Sequence, residues 1–269
     1  MAASPNITLR GILSQSKPRV RRKTKSSKNS RGDWPEFPAD TIAIWDDFNL
    51  DNLNESYGHV LDLDIPEQRP APPNPHQVLT GIEVAKPDDI KHLIKWNYEV
   101  IDATLDFARK HLNLHNSVLL RHQTSTLERS AIARVSDGRK TVKVDHLIAL
   151  DEYPQANLVI GLGKPSSKFQ GRKVADHPGH VSREGLQPLR QLADQCDIAK
   201  TRYGYIQTEE DFVACCLSRD ASESWKVAVM PIPWSKHGEN QLTTDLALWW
   251  LSMLAMAGPQ HRKIVGERR

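Results

Sequence analysis

The chain has 269 residues, of which 39% are hydrophobic and 26% charged, proportions typical of globular proteins rather than disordered or fibrous ones. Its three cysteines lack CxxC spacing and His partners at metal-ligand distances, which argues against a disulfide framework and a zinc site. No apolar stretch reaches the roughly 20 residues that span a bilayer, and no signal peptide is visible. We therefore expect a cytoplasmic protein without a membrane segment.

The first 32 residues are strongly basic. They carry nine Lys and Arg residues and no Asp or Glu, while the remaining chain has 27 basic and 33 acidic residues. Because this segment is rich in Ser and Lys and poor in large apolar residues, it predicts a disordered basic arm over residues 1–32. The arm is typical of a nucleic-acid-binding segment or a nuclear-localisation patch, and a merely solubilising tail remains an alternative.

Residues 33–87 predict an irregular, proline-rich wrap. Seven prolines between residues 35 and 75 break any long helix or strand. Apolar side chains from Trp34 to Phe48 are expected to pack this segment on the body of the protein as an extended chain.

Residues 88–269 predict one domain of alternating elements. Apolar residues at helical spacing indicate a helix over 87–112, and strands are expected at 131–135 and 141–150 around a turn at 136–139. A buried strand at 158–163 follows, then a loop at 171–185. The remaining expected elements are a helix at 187–199, a strand at 203–207, a hairpin of 211–218 with 225–231, and a buried helix at 241–257. This order is typical of an α+β fold.

Four segments carry a family resemblance. They are Gly161–Lys164, Pro188–Gln191, Thr201–Thr208 and Ile232–Asn240. In this order they resemble a fungal branch of the PD-(D/E)XK nuclease-like superfamily, which includes the arginine-containing cyclodipeptide synthases. The resemblance covers about residues 88–257 and implies a PD-(D/E)XK nuclease-like core, a central mixed β-sheet flanked by helices.

One position departs from the nuclease pattern. Where that pattern places Glu or Asp two residues before its lysine, this chain has Leu162 before Lys164. The two side chains share one face of a strand, so a neighbour on the other face cannot replace the lost carboxylate. A metal-dependent nuclease would need this acid to hold its metal ions, and we therefore expect no metal and no other cofactor.

Three residues are candidate catalytic groups. The resemblance implies that Asp145 occupies the position of the first acid and that Lys164 ends the next strand beside it. An ion pair that only stabilises the strand ends is the alternative. His237 lies in a loop before the last helix, where its titration range suits proton transfer, although most loop histidines have no such role.

Candidate substrate-binding residues come from several elements. Glu99 is the glutamate that the superfamily often contributes from its first helix, and Gln191 matches the glutamine that points back into the site. For Glu99, a solvated glutamate on the helix face is the alternative interpretation. The motif around residues 201–208 and the segment after residue 232 add Arg202, Tyr203, Tyr205 and Trp234. The two tyrosines share one strand face, which is also what core packing would require.

The resemblance implies an aminoacyltransferase that forms an arginine-containing cyclic dipeptide from two aminoacyl-tRNAs. Its partners would be arginyl-tRNA and a second charged tRNA, and the basic arm would bind tRNA phosphates. A catalytically degenerate nuclease fold that binds nucleic acid is the alternative. A further alternative is an active nuclease that takes its second acid from Glu99 or Glu152.

Overall fold

A mixed β-sheet runs through the protein in the computed structural model, which describes residues 7–25, 29, 32, 34–65, 72–128 and 141–264. The strands are β1 (Arg21–Arg22), β2 (Ile42–Ile44), β3 (Glu83–Val84), β4 (Leu120–Glu128), β5 (Thr141–Leu150), β6 (Ala156–Gly163), β7 (Tyr203–Gln207), β8 (Asp211–Arg219) and β9 (Trp225–Pro233). In the described part of the chain, seven strands form one sheet in the order β2-β9-β8-β7-β6-β5-β4. Strand β1 pairs separately with β3.

Helices cover both faces of this sheet. They are α1 (Leu9–Leu13), α2 (Leu50–Leu61), α3 (Pro75–Leu79), α4 (Lys91–His111), α5 (Gly171–Asp176), α6 (Gln187–Ala199), α7 (Thr244–Met256) and α8 (Pro259–Arg262). Apolar residues of α1, α2, α4 and α7 pack against one face of the sheet. Those of α5 and α6 pack against the other. The protein is therefore an α+β fold with a mixed sheet between helical layers.

The strand directions bring several chain ends to one edge of the sheet. Strands β4, β5 and β6 are successively antiparallel, β6 and β7 are parallel, and β7, β8 and β9 are antiparallel again. The carboxyl ends of β6, β7 and β9 therefore lie beside the amino ends of β5 and β8. We call this the Lys164 edge, because Lys164 directly follows β6.

The expected elements of the domain are largely confirmed. The helix at 87–112 is a 3₁₀ turn followed by α4, and the strands β5, β6, β7, β8 and β9 and the helices α6 and α7 occur where apolar patterning predicts them. Thr243 caps α7 by accepting a hydrogen bond from Leu246 N. The expected strand at 131–135 and the turn at 136–139 lie outside the described residues.

Two expectations about the domain need correction. Residues 171–185 are not all loop, since Val174 and Ala175 are buried in α5 against the sheet. Strand β4 was not expected, because its polar sequence does not alternate as a half-buried strand should.

The prediction of a disordered arm is wrong for residues 7–25, which we call the strap. Leu9, Ile12 and Leu13 of α1 are buried in the core. The ammonium of Lys17 is buried and bonds Asp245 Oδ1 at 2.7 Å. The segment docks on the body through its apolar residues and one buried ion pair. Its basic composition does not indicate this.

The expectation of an irregular wrap is also wrong in part. Residues 50–61 form helix α2, whose amino end is capped by Asn49 accepting from Asn52 N. Phe37, Ile42 and Phe48 are buried, as expected for a segment packed on the body. None of the helices within the described ranges is long and apolar enough to cross a membrane.

Candidate active site at the Lys164 edge

Asp145 and Lys164 meet at the ends of neighbouring strands. His146 of β5 lies opposite Gly161 of β6, which brings Asp145 close to the end of β6. Gly163 N donates a hydrogen bond of 2.9 Å to Asp145 Oδ2, and Lys164 N donates one of 2.9 Å to Gln207 O of β7. Both side chains are partly buried. The register therefore places a carboxylate and an ammonium group at one corner of the sheet.

The environment of Lys164 makes its ammonium group more acidic than that of an exposed lysine. Burial lowers its pKa, the charge of Asp145 opposes this effect, and the charge of Lys168 adds to it. A lysine of lowered pKa gives up its proton more readily near neutral pH, which suits an acid–base role.

The residues present do not fit the two-carboxylate metal site of the nuclease pattern. Leu162 is 2% exposed and packs with Leu189 and Leu192 of α6. Asp145 therefore has no carboxylate beside it on β6. Among the described residues, no group of three or more His, Cys, Asp or Glu side chains is arranged to hold a metal ion.

The acids considered as replacements lie elsewhere. Glu99 is exposed on α4, which matches its alternative interpretation as a solvated helix-face glutamate, whereas the same helix turns buried Asn97 towards the sheet. Glu152 follows the carboxyl end of β5, at the opposite edge of the sheet, with its Oε1 3.9 Å from Arg262 Nη2. Glu152 is therefore at the far end of β5 from Asp145.

Helix α6 turns glutamine side chains towards β5. Buried Gln195 donates from Nε2 to Lys143 O at 3.0 Å. Gln191 precedes it by one helical turn on the same face and is partly buried. Gln191 is therefore placed towards the Lys164 edge, and Gln195 is an additional residue there that the motif did not indicate.

A buried polar network lies behind this corner, on the α4 face of the sheet. Tyr205 Oη is 2.6 Å from His146 Nδ1 and accepts a hydrogen bond from Asn97 Nδ2 at 3.2 Å. Tyr98 Oη donates to Asp145 O at 2.7 Å. The network thus holds the carbonyl oxygen of Asp145 and the imidazole ring of the next residue, His146. Sequence reasoning missed Asn97, Tyr98 and His146, although three polar residues within apolar stretches were a signal that could have revealed them.

Gly161 is required for this network. A Cβ at this position would lie 2.4 Å from Cζ of Tyr205, too close for any side chain. The glycine before Leu162 therefore lets the tyrosine ring pass over β6 and reach His146.

The remaining predicted residues are not brought together with Asp145 and Lys164. Arg202 and Tyr203 lie at the amino end of β7, at the edge opposite Lys164. Tyr203 is buried core beside Trp45, and burial raises its pKa to about 12. His237 is exposed in the turn after β9, three strands from β6 or roughly 14 Å in sheet spacing.

A cleft of about 1160 Å³ opens along the Lys164 edge. Residues 19–23 of the strap and the α5 residues Arg172 and Lys173 line it, facing carboxylates at 209–211. Buried Trp234, a predicted substrate-binding residue, also contributes to its wall. Ser166 lies two residues after Lys164, accepts from Arg22 Nη1 at 3.2 Å and donates to Glu209 Oε1 at 2.6 Å. The loop after Lys164 is therefore part of the cleft's structure.

Comparison of the chain with protein-family models, with curated proteins and with solved structures gives no match.

Proposed function

We propose that the protein is a tRNA-dependent synthase that forms an arginine-containing cyclic dipeptide on a PD-(D/E)XK-like core. The element order supports this core: helix α4, the antiparallel strands β4, β5 and β6, helix α6 and the parallel strand β7. Many α+β proteins share parts of this order, so the fold alone does not assign the activity.

The observation that carries the proposal is the Asp145–Lys164 corner without a second acid. Hydrolysis of a phosphodiester by this core needs two carboxylates to hold metal ions, and Leu162 fills the second position. An aminoacyl ester is already activated, and its aminolysis needs positioning, proton transfer and stabilisation of an oxyanion. A carboxylate beside a lysine of lowered pKa supplies those functions.

The chemistry balances over two acyl transfers. The α-amine of one aminoacyl-tRNA attacks the ester carbonyl of the other, so a C–N bond forms and the C–O bond to the ribose breaks. Asp145 accepts the proton that the amine loses, and Lys164 donates a proton to the departing ribose oxygen. The second attack closes the ring in the same way and releases the cyclic dipeptide and two uncharged tRNAs.

The arginine substrate would be selected by carboxylates of the cleft. A guanidinium group pairs with carboxylates through two parallel hydrogen bonds. Glu210 is the candidate, because its side chain is 56% exposed in the cleft wall.

The second candidate function is a nucleic-acid-binding module on a degenerate nuclease fold. It is favoured by the cations that line the cleft, which would bind phosphates without any chemistry at Lys164.

One experiment separates these functions. The full chain is expressed in a host with ordinary charged tRNAs, and the extract is searched by mass spectrometry for new cyclic dipeptides that contain arginine. We expect such a product with the parent protein and none with an empty vector. Absence of product, both in the host and with purified arginyl-tRNA and other charged tRNAs, would contradict the synthase and leave the binding module.

A further inference from the structure

The strap forms one wall of the cleft because Lys17 anchors it. The Lys17 ammonium bonds Asp245 Oδ1 at 2.7 Å and lies 4.4 Å above the ring of Trp234. Trp96 Nε1 donates to both carboxylate oxygens of Asp245 at 3.2 Å. Further along, β1 pairs with β3, so that Arg21 lies opposite Glu83. The wall is therefore held at two points, with Arg19 between them and the other strap cations at or beside the second point.

Seven cations and three carboxylates form the described lining of the cleft. Carboxylates outside the lining pair with three of these cations, since Lys17 pairs with Asp245 and both Arg21 and Lys23 pair with Glu83. Within the lining, Asp211 pairs with Arg172 at 3.1 Å, and Ser166 donates hydrogen bonds to both Glu209 and Glu210. Glu210 is the exposed one, and its Oε1 lies 3.5 Å from Arg22 Nη1. Arg19 and Lys173 have no carboxylate partner within the described residues. The cleft thus offers positive charge that the protein itself does not neutralise.

The size and lining of the cleft indicate a polymer backbone rather than a small molecule. Its volume of about 1160 Å³ exceeds the roughly 300–1000 Å³ of small-molecule sites. The ring of Trp234 is 3% exposed and covered by Lys17, so it offers no surface on which a base could stack. Phosphates, which pair with cations regardless of base, fit this lining.

We propose that the cleft between the strap and residues 209–211 binds a single-stranded nucleic-acid segment through its phosphates. The segment lies along the strap's cations, beside the loop that follows Lys164, with little preference for base sequence. Its identity as the acceptor end of a tRNA rests on the proposed function, whereas the phosphate contacts do not.

The first test removes cations from the cleft. Binding of the full chain to a labelled single-stranded RNA of about 12 nucleotides is measured by fluorescence anisotropy at several salt concentrations. Each lost phosphate contact lowers the slope of log affinity against log salt by about 0.7, or about fivefold in affinity at about 0.1 M salt. We expect the double variant Arg19→Ala, Lys173→Ala to lose about 1.4 in slope and about 25-fold in affinity.

A matched control removes two charges at the opposite edge of the sheet. Lys200→Asn with Lys263→Ala changes two exposed lysines, and asparagine accepts the left-handed backbone of residue 200. This variant should keep the parent's slope and affinity. An equal loss in both double variants would overturn the proposal, because the attraction would then come from overall charge.

The second test predicts tighter RNA binding, a result that misfolding of the variant would not produce. Glu210→Gln removes the exposed carboxylate beside Arg22 and should tighten binding of the RNA several-fold by restoring one phosphate contact. The control Glu223→Gln changes another exposed glutamate that lies 3.4 Å from an arginine, in the turn between β8 and β9. This control should leave the affinity for the RNA unchanged. The proposal would be overturned if Glu210→Gln does not tighten binding of the RNA. It would also be overturned if a duplex binds more tightly than the single strand and the cleft variants leave that duplex binding unchanged.

These binding measurements are independent of product formation. Sequence-tolerant RNA binding in the cleft without any cyclic dipeptide would contradict the synthase and support the cleft. Product formed normally by the Arg19→Ala, Lys173→Ala variant at low tRNA concentration would support the synthase and contradict the cleft.

Discussion

At the scale of single residues, Lys164 and Asp145 are the groups on which the proposed chemistry depends. Lys164→Ala and Asp145→Asn should each reduce cyclic dipeptide formation by about 100- to 1000-fold, the usual cost of losing a group that stabilises the transition state. Asparagine still accepts the hydrogen bond from Gly163 N, and a partly solvated ion pair contributes at most about 1 kcal/mol. Product yield and the thermal midpoint are the measurements.

A structural ion pair would give the reverse pattern. In that case both variants would melt well below the parent, and their folded fraction would make product at the normal rate. Lys95→Ala, which changes an exposed lysine of α4, is the control and should affect neither measurement strongly.

His146 should make folding stability depend on pH. Burial, and secondarily the charge of His122, hold the pKa of His146 well below its usual value; Tyr98, Tyr205 and the adjacent Asp145 are the other titratable groups around it. The unfolded chain therefore binds a proton here below about pH 6.5, while the folded protein does not. The free energy of unfolding should fall as pH drops below about 6.5, by up to about 1.4 kcal/mol per pH unit, and be unaffected above it.

Comparison with a variant isolates this contribution from that of the carboxylates. His146→Asn should lose less stability than the parent between about pH 7 and about pH 5.5, as measured by denaturant unfolding. His180→Asn changes an exposed histidine and should keep the parent's pH dependence. An identical dependence in His146→Asn would mean that His146 binds a proton equally well in the folded and the unfolded chain.

At the scale of elements, the strap is the part of the chain whose stability depends most on one contact. Lys17→Ala leaves the buried carboxylate of Asp245 without its cation, and breaking a buried ion pair from one side costs about 3–5 kcal/mol. We expect a lower free energy of unfolding and rapid tryptic cleavage at residues 19–23. The control Arg19→Ala removes a cation without a carboxylate partner among the described residues and should remain within about 0.5 kcal/mol of the parent.

The same comparison tests whether this segment is a free arm or a docked strap. If Lys17→Ala melts like the parent and resists trypsin equally, the ion pair does not anchor the strap. A deletion of residues 1–25 should likewise destabilise the protein, because it removes the buried apolar residues of α1 as well as Lys17.

The elements that the sequence predicts well are those whose pattern reflects one local environment. Strand β6 is apolar on both faces because helices cover both, and α7 is apolar all round because it is enclosed. The strap and α2 were missed for the opposite reason. Their local composition is basic or polar, and their structure depends on partners about 200 residues away, such as Asp245 for Lys17.

At the scale of the whole molecule, the motif indicated the corner but not the cleft. Asp145 and Lys164 are adjacent because strand pairing follows chain order, which the spacing of apolar runs predicts. The cleft joins the strap, α5 and the start of β8, and no local pattern relates these segments. The basic residues predict nucleic-acid binding as a hypothesis, but the structure places residues 19–23 in a fixed wall rather than a free arm.

The anchoring of the strap also sets when the cleft can exist during protein synthesis. Lys17 leaves the ribosome early, yet its partner Asp245 follows 228 residues later. Until α7 has emerged, the buried ammonium group of Lys17 has no carboxylate to pair with, and only the pairing of β1 with β3 can hold the strap. An incomplete nascent chain therefore presents the strap's cations without the anchor that fixes the wall of the cleft.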